Sequence, residues 1–420
     1  MSDKLSTEPY KGVRDFYPED WARLDHIFST IRRTLKLYGY EEYNASPLEP
    51  AELYENKTSE EIVNEQTFTF TDRGDRKVTL RPEMTPTLAR MVAARRRELA
   101  FPLRWFSIPN LFRYERPQRG RLREHYQLNV DLLGVADTTA DNEIISMAFE
   151  VLSSLGALQG DFVIRINSRK LLNNATGALE YSPEQAKQYL ALLDRKGKMS
   201  EGEFETARDE FRRNGKDALE LIESGENAEV NEAKYELDGL IANFTARGMN
   251  NIVFDPSIVR GFDYYTGVVF EIYDTNPENP RALFGGGRYD NLVSLFGGDS
   301  IPAVGFGMGD VTLIDFLATH KLLPEAVSAP TLYIGTPEVS DVAHAREFAE
   351  TLRKGGVRTI VNTSDKSLAD QIREAVKRGT PYFIAYGKNE SETGMVTLKD
   401  LAKSSEKECS TAEALSILSQ

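Results

Sequence analysis

Three stretches of the 420-residue chain carry side chains that could do chemistry together. The first is Arg260-Gly261-Phe262-Asp263-Tyr264-Tyr265-Thr266-Gly267, with an arginine, an aspartate and two tyrosines within six residues. The second is Phe284-Gly285-Gly286-Gly287-Arg288-Tyr289-Asp290, and the third is Val304-Gly305-Phe306-Gly307-Met308-Gly309. Glycine runs let backbone approach a ligand closely or take positive φ. Alternate glycines in a strand leave one face open for something flat. A fourth stretch, from Phe112 to Arg123, holds Arg113, Arg116, Arg119, Arg121 and Arg123 among turn residues. Five guanidiniums that close together repel one another unless an anion joins them, and a polyphosphate and an RNA end are both suitable anions. Glu83 and Thr85 stand in Arg81-Pro82-Glu83-Met84-Thr85-Pro86, where two prolines restrict the backbone. Each stretch alone also has a plainer reading, as glycine-rich strands, a capped helix with a surface glutamate, or solvated charge.

The elements that must position these groups are legible from periodicity. Residues 21–38 place Trp21, Leu24, Ile27, Phe28, Ile31, Leu35 and Leu37 at helical spacing, and Gly39 closes the helix. The following segment reads as a strand ending at Pro47. Phe68–Asp72 and Lys77–Leu80 read as a hairpin around Arg73-Gly74-Asp75. A helix is expected from Thr87 to Leu99, with Thr85 as its N-cap. Leu103–Ile108 and Glu124–Gly134 read as strands. In the second, Tyr126, Leu128, Val130 and Leu132 face one way, and His125, Gln127, Asn129 and Asp131 the other. That polar face suits either a binding site or the outside of a surface strand. Phe162–Asn167 and Val268–Tyr273 add two more strands. Residues 170–250 turn acidic and helical, with helices expected at Leu190–Leu193 and Phe211–Leu221. After a linker around Pro324–Pro330, strand and helix alternate with short connections. This predicts an α/β unit with a largely parallel sheet.

Composition fits this plan. The chain is 40% hydrophobic and 28% charged, as expected for a soluble globular protein of two or three domains. No apolar run approaches the ~20 residues of a membrane span, and the N-terminal stretch lacks an apolar signal region. One cysteine, Cys409, excludes an intrachain disulfide, and four histidines disfavour a histidine-rich metal site. These features predict a cytoplasmic protein. The net charge of −14 disfavours a generic nucleic-acid coating protein and leaves room for local basic patches.

Taken in order, RGFDYYTG, FGGGRYD and the VGFGMG stretch resemble the two histidine-specific signatures and the start of motif 3 of the histidyl-tRNA synthetase family, a class II aminoacyl-tRNA synthetase family. Residues 112–134 resemble its motif 2, residues 81–85 its RPE-x-T element, and residues 21–47 its motif 1; the resemblance covers roughly residues 8–405. It implies an α/β architecture: an α+β catalytic domain with an antiparallel sheet, a helical insertion and a C-terminal α/β anticodon-binding domain. By this likeness residues 1–169 and 251–325 form the catalytic domain, 170–250 the insertion and 330–420 the anticodon domain. The implied activity joins histidine to its tRNA through histidyl-adenylate, with ATP and Mg²⁺, in a homodimer.

By the same resemblance Arg113 and Arg260 are catalytic and hold the α-phosphate. Glu83, Thr85, Gln127, Asp131, Tyr264 and Tyr265 line the histidine pocket. Glu83 and Thr85 meet the ammonium, Asp131 the imidazole, and Tyr264 offers its hydroxyl to that ring. Arg113, Glu115, Arg121, Arg260 and Gly307 bind ATP, and Gln118, Arg119 and Arg123 meet the tRNA acceptor end. The chain departs from the pattern in one place. Where motif 3 carries Glu and Arg, it has Val311 and Thr312, so either another arginine, such as Arg121, or a metal supplies that charge, or ATP binds differently. The departure keeps a second reading open, a non-catalytic histidine-sensing regulatory subunit related to the synthetase.

Overall fold

The computed structural model describes all residues except 1–4, 56–66, 197–198, 260–263, 326–327 and 420. It divides into two compact units, the larger comprising the described residues up to Tyr17 and from Arg23 to Glu325, and the smaller Pro18–Ala22 with the described residues after Glu325.

The larger unit contains strands β1 (Glu41–Glu42), β2 (Leu48–Pro50), β3 (Phe68–Thr71), β4 (Lys77–Leu80), β5 (Leu103–Ser107), β6 (Asn110–Phe112), β7 (Glu124–Leu133), β8 (Phe162–Ser168), β9 (Ile252–Phe254), β10 (Val268–Asp274), β11 (Ala282–Arg288) and β12 (Ala303–Gly309). Its main sheet runs β1-β5-β7-β12-β11-β10-β8-β9, with β6 paired to β7. Only the outer pairs β1–β5 and β8–β9 are parallel. A small sheet, β2-β4-β3, stands beside it.

One face of the main sheet is apolar. Leu128, Val130, Phe270, Ile272, Phe284, Phe306 and Met308 are buried there with Ile144, Ile145, Met147 and Leu152 of the helix Thr138–Ser154 and Phe316 and Leu317 of the helix Asp310–Thr319. Side chains alternate across a strand, so the opposite face takes the intervening residues. That face holds the polar residues and glycines singled out above.

The segment 170–250 is helical: Arg169–Ala178, Pro183–Arg195, Glu201–Asp209, Ala218–Ser224 and Ala228–Ala246. Its Leu171, Leu172, Tyr189, Leu237 and Phe244 belong to the same buried cluster as the sheet. The helix expected across Phe211–Leu221 is instead a tight turn followed by a short helix. Arg213 and Lys216 pair across Asn214 and Gly215, at φ 52° and 81°, and Asp217 caps the helix that begins at Ala218. An Asn-Gly pair favours this turn over a continuing helix because both residues tolerate positive φ.

Two other expectations shift. The strand expected to end at Pro47 is split, with Glu41–Glu42 in the main sheet and Leu48–Pro50 paired to β4. The helix after Glu83 begins at Thr85 and ends at Arg95, with Met84 at the cap position and no side-chain capping bond. Thr85 therefore lies in the first turn rather than capping it.

The smaller unit contains β13 (Leu332–Gly335), β14 (Thr359–Val361), β15 (Tyr382–Ala385), β16 (Met395–Asp400) and β17 (Ser405–Ser410), in the order β14-β13-β15-β16-β17. The pairs of β13 with β14 and β15 are parallel, and β15–β16 and β16–β17 antiparallel. The hydrophobic cluster around Ile334, Phe348, Leu352 and Ile384 includes Cys409. Lys366, Arg378 and Lys388 each meet a carboxylate of the same unit: Glu374 at 3.0 and 2.8 Å, and Glu392 at 3.8 Å.

Candidate active site

Directly paired residues on adjacent strands share a face. Two such rows cross the open face of the main sheet. One is Asp131–Gly305–Gly287–Val269, and the next is Asn129–Gly307–Gly285–Glu271. The glycines thus form a floor from which side chains are missing, and Asp131 and Asn129 of β7 lean over its edge.

Close approach, not turn geometry, requires these glycines; none of Gly285, Gly286, Gly287, Gly305 and Gly307 has positive φ. A Cβ on Gly305 would lie 2.1 Å from Asp131 Oδ1 and 2.6 Å from the Val130 carbonyl. Gly305→Ala is therefore expected to destabilise the fold by about 1–3 kcal/mol, since a rigid neighbour must move. Gly307→Ala meets only the flexible end of Gln127, at 3.1 Å, and should cost less. Urea unfolding of the two variants checks the order, and an equal midpoint for Gly305→Ala and wild type would refute it.

Above this floor is a cavity of about 110 Å³ lined by Glu83, Thr85, Arg113, Gln127, Asn129, Asp131, Tyr264, Tyr265, Gly285, Tyr289, Gly305, Phe306 and Gly307. All six residues expected in a histidine pocket line it. A second cavity, of about 190 Å³, is lined by Arg113, Glu115, Gly120, Arg121, Leu122, His125, Gln127, Leu283, Gly307, Gly309, Val311 and Thr312. It collects the expected ATP-binding residues other than Arg260. Arg113, Gln127 and Gly307 line both cavities, which therefore adjoin. Arg260, with Gly261, Phe262 and Asp263, lies outside the described residues.

The first cavity has two chemically distinct ends. At one, Glu83 is buried, and the Tyr264 hydroxyl donates to its Oε2 at 3.5 Å. The Tyr54 hydroxyl donates to the Glu83 backbone carbonyl at 3.3 Å. Neighbouring Arg81 is buried and donates to the carbonyls of Asn110, Ala45 and Ser46, which ties the segment to β6 and to the chain before β2. A buried carboxylate needs such fixing and a cationic partner.

At the other end Asp131 accepts from the Tyr289 hydroxyl at 2.5 Å. Burial pushes its carboxyl up to about 7, and the Tyr289 hydrogen bond works against that rise. The phenol reaching Asp131 is thus Tyr289, while Tyr264 turns towards Glu83. Tyr264 packs on Tyr265 and Tyr289, with ring centroids 4.8 and 5.8 Å away. Next to Tyr289, buried Arg288 donates to Asp141 at 2.7 Å and to the carbonyls of Val135 and Asp137 at 3.0 and 2.9 Å, which anchors the end of β11.

In the second cavity, Arg113 Nε donates to the Pro82 carbonyl at 2.9 Å, which aims the rest of its guanidinium. Arg121 Nη1 is 3.4 Å from Glu115 Oε2, an oxygen that is buried without a hydrogen-bond partner among the described residues. Burial, then Arg113 and Arg14, push the His125 imidazole down to about 3, so it is neutral near pH 7. The loop between β6 and β7 is tight, with Gln118 and Arg121 paired around Gly120 at φ 76°. Arg123 anchors its base: the guanidinium donates to the Glu115 carbonyl at 3.1 Å and the Tyr10 hydroxyl at 3.0 Å, and lies over the Tyr114 ring at 4.0 Å. Gln118 and Arg119 stand nearer its tip.

Sequence reasoning gave no role to His125, Asn129 or Tyr289. The first two were within reach, because they share the two-residue period of Gln127 and Asp131. Tyr289 was not, because its contact with Asp131 spans 158 positions.

A family model for histidyl-tRNA synthetase matches residues 12–311, and one for an anticodon-binding domain matches residues 333–420. The histidine–tRNA ligase of Leptospira biflexa is 44% identical over 98% of this chain and 97% of its own length. That of Thermoplasma volcanium is 37% identical over 95% of each. A crystal structure of histidyl-tRNA synthetase from Nostoc sp. PCC 7120 shares the fold, with TM-score 0.79, 23% identity and 99% of both chains covered. A Bacillus halodurans structure described as an ATP phosphoribosyltransferase regulatory subunit/histidyl-tRNA synthetase has TM-score 0.72 and 26% identity over 88% of this chain and 95% of its own. An antiparallel sheet with a cavity over its glycine floor, matched by a synthetase model and followed by a unit that an anticodon-binding model matches, defines an aminoacyl-tRNA synthetase. The chain belongs to the histidyl-tRNA synthetase family.

Proposed function

We propose that this protein is a histidine–tRNA ligase working through histidyl-adenylate, with its amino-acid pocket over the glycine floor and its nucleotide in the adjoining cavity. One observation carries the reading: Arg113 lines both cavities. The carboxylate of histidine and the α-phosphate of ATP must meet where the two compartments join, and a guanidinium there compensates the charge that develops in the transition state.

In the first step a carboxylate oxygen of histidine attacks the α-phosphorus, the bond to the bridging oxygen breaks, and pyrophosphate leaves. Glu83, with Thr85, takes the α-ammonium. Asp131 takes an imidazole nitrogen, which sets the tautomer and orientation of the ring. Gln127, at the boundary, reaches both substrates, and Tyr265 walls the pocket. Arg121, Glu115 and Gly307 contact the nucleotide. Arg260 acts opposite Arg113 by its place in the family signature. In the second step the terminal ribose hydroxyl of tRNA attacks the acyl carbon and AMP leaves. Gln118 and Arg119, on the loop that Arg123 anchors, meet the acceptor end.

Among the described residues no cluster of three His, Cys, Asp or Glu side chains could hold a metal by itself. Mg²⁺ instead takes one or two carboxylates plus substrate phosphates, and the Glu115 carboxylate, which lines the nucleotide cavity beside Arg121, would supply one. The ion would neutralise the departing pyrophosphate.

No helix of the described residues is long and apolar enough to cross a membrane. The reading is completed by a cytoplasmic location, a homodimer formed through the first helix and the strand after it, and a catalytic domain (residues 1–169 and 251–325) with a helical insertion (170–250) and an anticodon domain (330–420).

Histidine-dependent exchange of labelled pyrophosphate into ATP, followed by charging of the cognate tRNA, tests the reading. Histidine binding without exchange would overturn it in favour of a histidine sensor. Tyr289→Phe, which removes the donor to Asp131, is expected to raise the KM for histidine about 5- to 20-fold, equivalent to one lost hydrogen bond of about 1–2 kcal/mol. The KM for ATP should stay within a factor of about two. Equal changes in both would remove Tyr289 from histidine selection.

A further inference from the structure

A third cavity continues the series. It has a volume of about 280 Å³ and is lined by Gln118, Arg119, Gly120, Glu278, Asn279, Pro280, Arg281, Leu283, Thr312 and Asp315. It shares Gly120, Leu283 and Thr312 with the nucleotide cavity. Thr312 is thus part of the partition between them. Its hydroxyl donates to the Leu283 carbonyl at 2.7 Å, so its side chain is turned towards β11.

Two features point to an occupant. The first is size. A nucleoside triphosphate needs a site of the ~300–1,000 Å³ typical of such ligands, and the nucleotide cavity offers about 190 Å³. The molecule must extend into a neighbour, and the amino-acid pocket is taken by the other substrate. The second is charge. Arg281 Nη1 donates to the Arg119 carbonyl at 3.3 Å, and Arg119 Nη2 donates to Asn279 Oδ1 at 3.1 Å.

The orientation of Asn279 is itself fixed. Its amide donates to Asp274 Oδ2 at 2.8 Å and to the Thr319 hydroxyl at 3.0 Å, which leaves its carbonyl for Arg119. Asp274 is held in turn by His320 Nε2 at 2.8 Å. A chain of four side chains therefore holds the arginine edge of this cavity. Glu278 and Asp315 share the space, with Asp315 3.9 Å from Arg119 Nε, so its formal charge is balanced. That balance suits a metal-complexed polyphosphate better than a bare anion.

Two arginines of this region already face carboxylates. Arg14 is paired with Asp310 at 2.8 Å, and Arg121 with Glu115 inside the nucleotide cavity. We propose that Arg281, seated on the Arg119 loop, supplies the positive charge to the terminal phosphates of the metal-bound nucleotide that Thr312 cannot supply. This rests on the ligase reading for the identity of the nucleotide.

Arg281→Ala should weaken MgATP binding, measured by calorimetry on the full chain, by roughly 10- to 100-fold, as for loss of one charge-assisted contact. In exchange assays the KM for ATP rises similarly, while the KM for histidine and the unfolding midpoint stay at wild-type values. The double variant Arg281→Ala/Thr312→Arg, which puts a guanidinium on the partition, recovers most of the loss. Unchanged MgATP affinity in Arg281→Ala overturns the inference, and so does a folded double variant that recovers nothing. Absence of exchange in the wild type, with MgATP binding still weakened by Arg281→Ala, refutes the ligase reading and leaves the inference standing.

Discussion

Arg113→Ala should lower kcat for histidine-dependent pyrophosphate exchange by about 10²–10³-fold, the usual consequence of removing one preorganised donor from developing charge. The fold should survive. Arg113 makes one side-chain hydrogen bond to backbone, at the Pro82 carbonyl, and otherwise faces the two cavities. Arg113→Lys should recover only part of the rate, because an ammonium is a point charge and does not reproduce the planar fork. The effect should be on kcat more than on either KM, because the charge that Arg113 meets grows in the transition state. An exchange rate near wild type in a folded Arg113→Ala protein would remove this residue, and with it the argument from the shared wall.

Asp131→Asn should lower kcat/KM for histidine by about 10- to 150-fold, the worth of a hydrogen bond to a charged acceptor, and leave the KM for ATP unchanged. It also has a pH signature in the empty protein. The carboxyl is pushed up to about 7 by burial, from an unfolded value near 4. Between those values the folded chain holds a proton that the unfolded chain has lost. Its contribution to stability is therefore full below about pH 4 and is lost as pH rises through about 7. Asparagine has no proton to release. Asp131→Asn should match wild type near pH 4 and exceed its stability at pH 8, by on the order of 4 kcal/mol at most. Urea unfolding at the two pH values reads the difference. A variant less stable than wild type at pH 8, with no change in histidine kinetics, would contradict both the burial cost and the role. Burying a carboxylate with a phenol as its one hydrogen-bond partner among the described residues is costly, and a bound imidazole would offset that cost.

Much of this organisation could be read locally. The two-residue alternation of β7 predicted which of its residues share a face, because side-chain direction in a strand is set by the pleat. The strand–helix alternation after residue 330 predicted a largely parallel sheet for the same kind of reason; β14, β13 and β15 are parallel, but β16 and β17 add two antiparallel pairs, so the sheet is mixed. Boundaries were read less well where a short-range signal was overridden. Thr85 has the chemistry of a cap, yet the helix takes it into its first turn and turns it to the cavity. Asn214-Gly215 was passed over as helix because the flanking composition is helical.

What the sequence determined by itself was the inventory: a floor of glycines, a band of arginines, two acids and paired tyrosines, in an order that marks the family. What only the tertiary structure decided was which of them meet. Asp131 pairs with Tyr289 and not Tyr264, Arg113 stands at a shared wall, and Arg281 faces the gap left at Thr312. The physical reason is range. Propensity and alternation act over a few residues, while these contacts are set by strand order and by cross-strand register between segments that can lie far apart, as Asp131 and Tyr289 do across 158 positions.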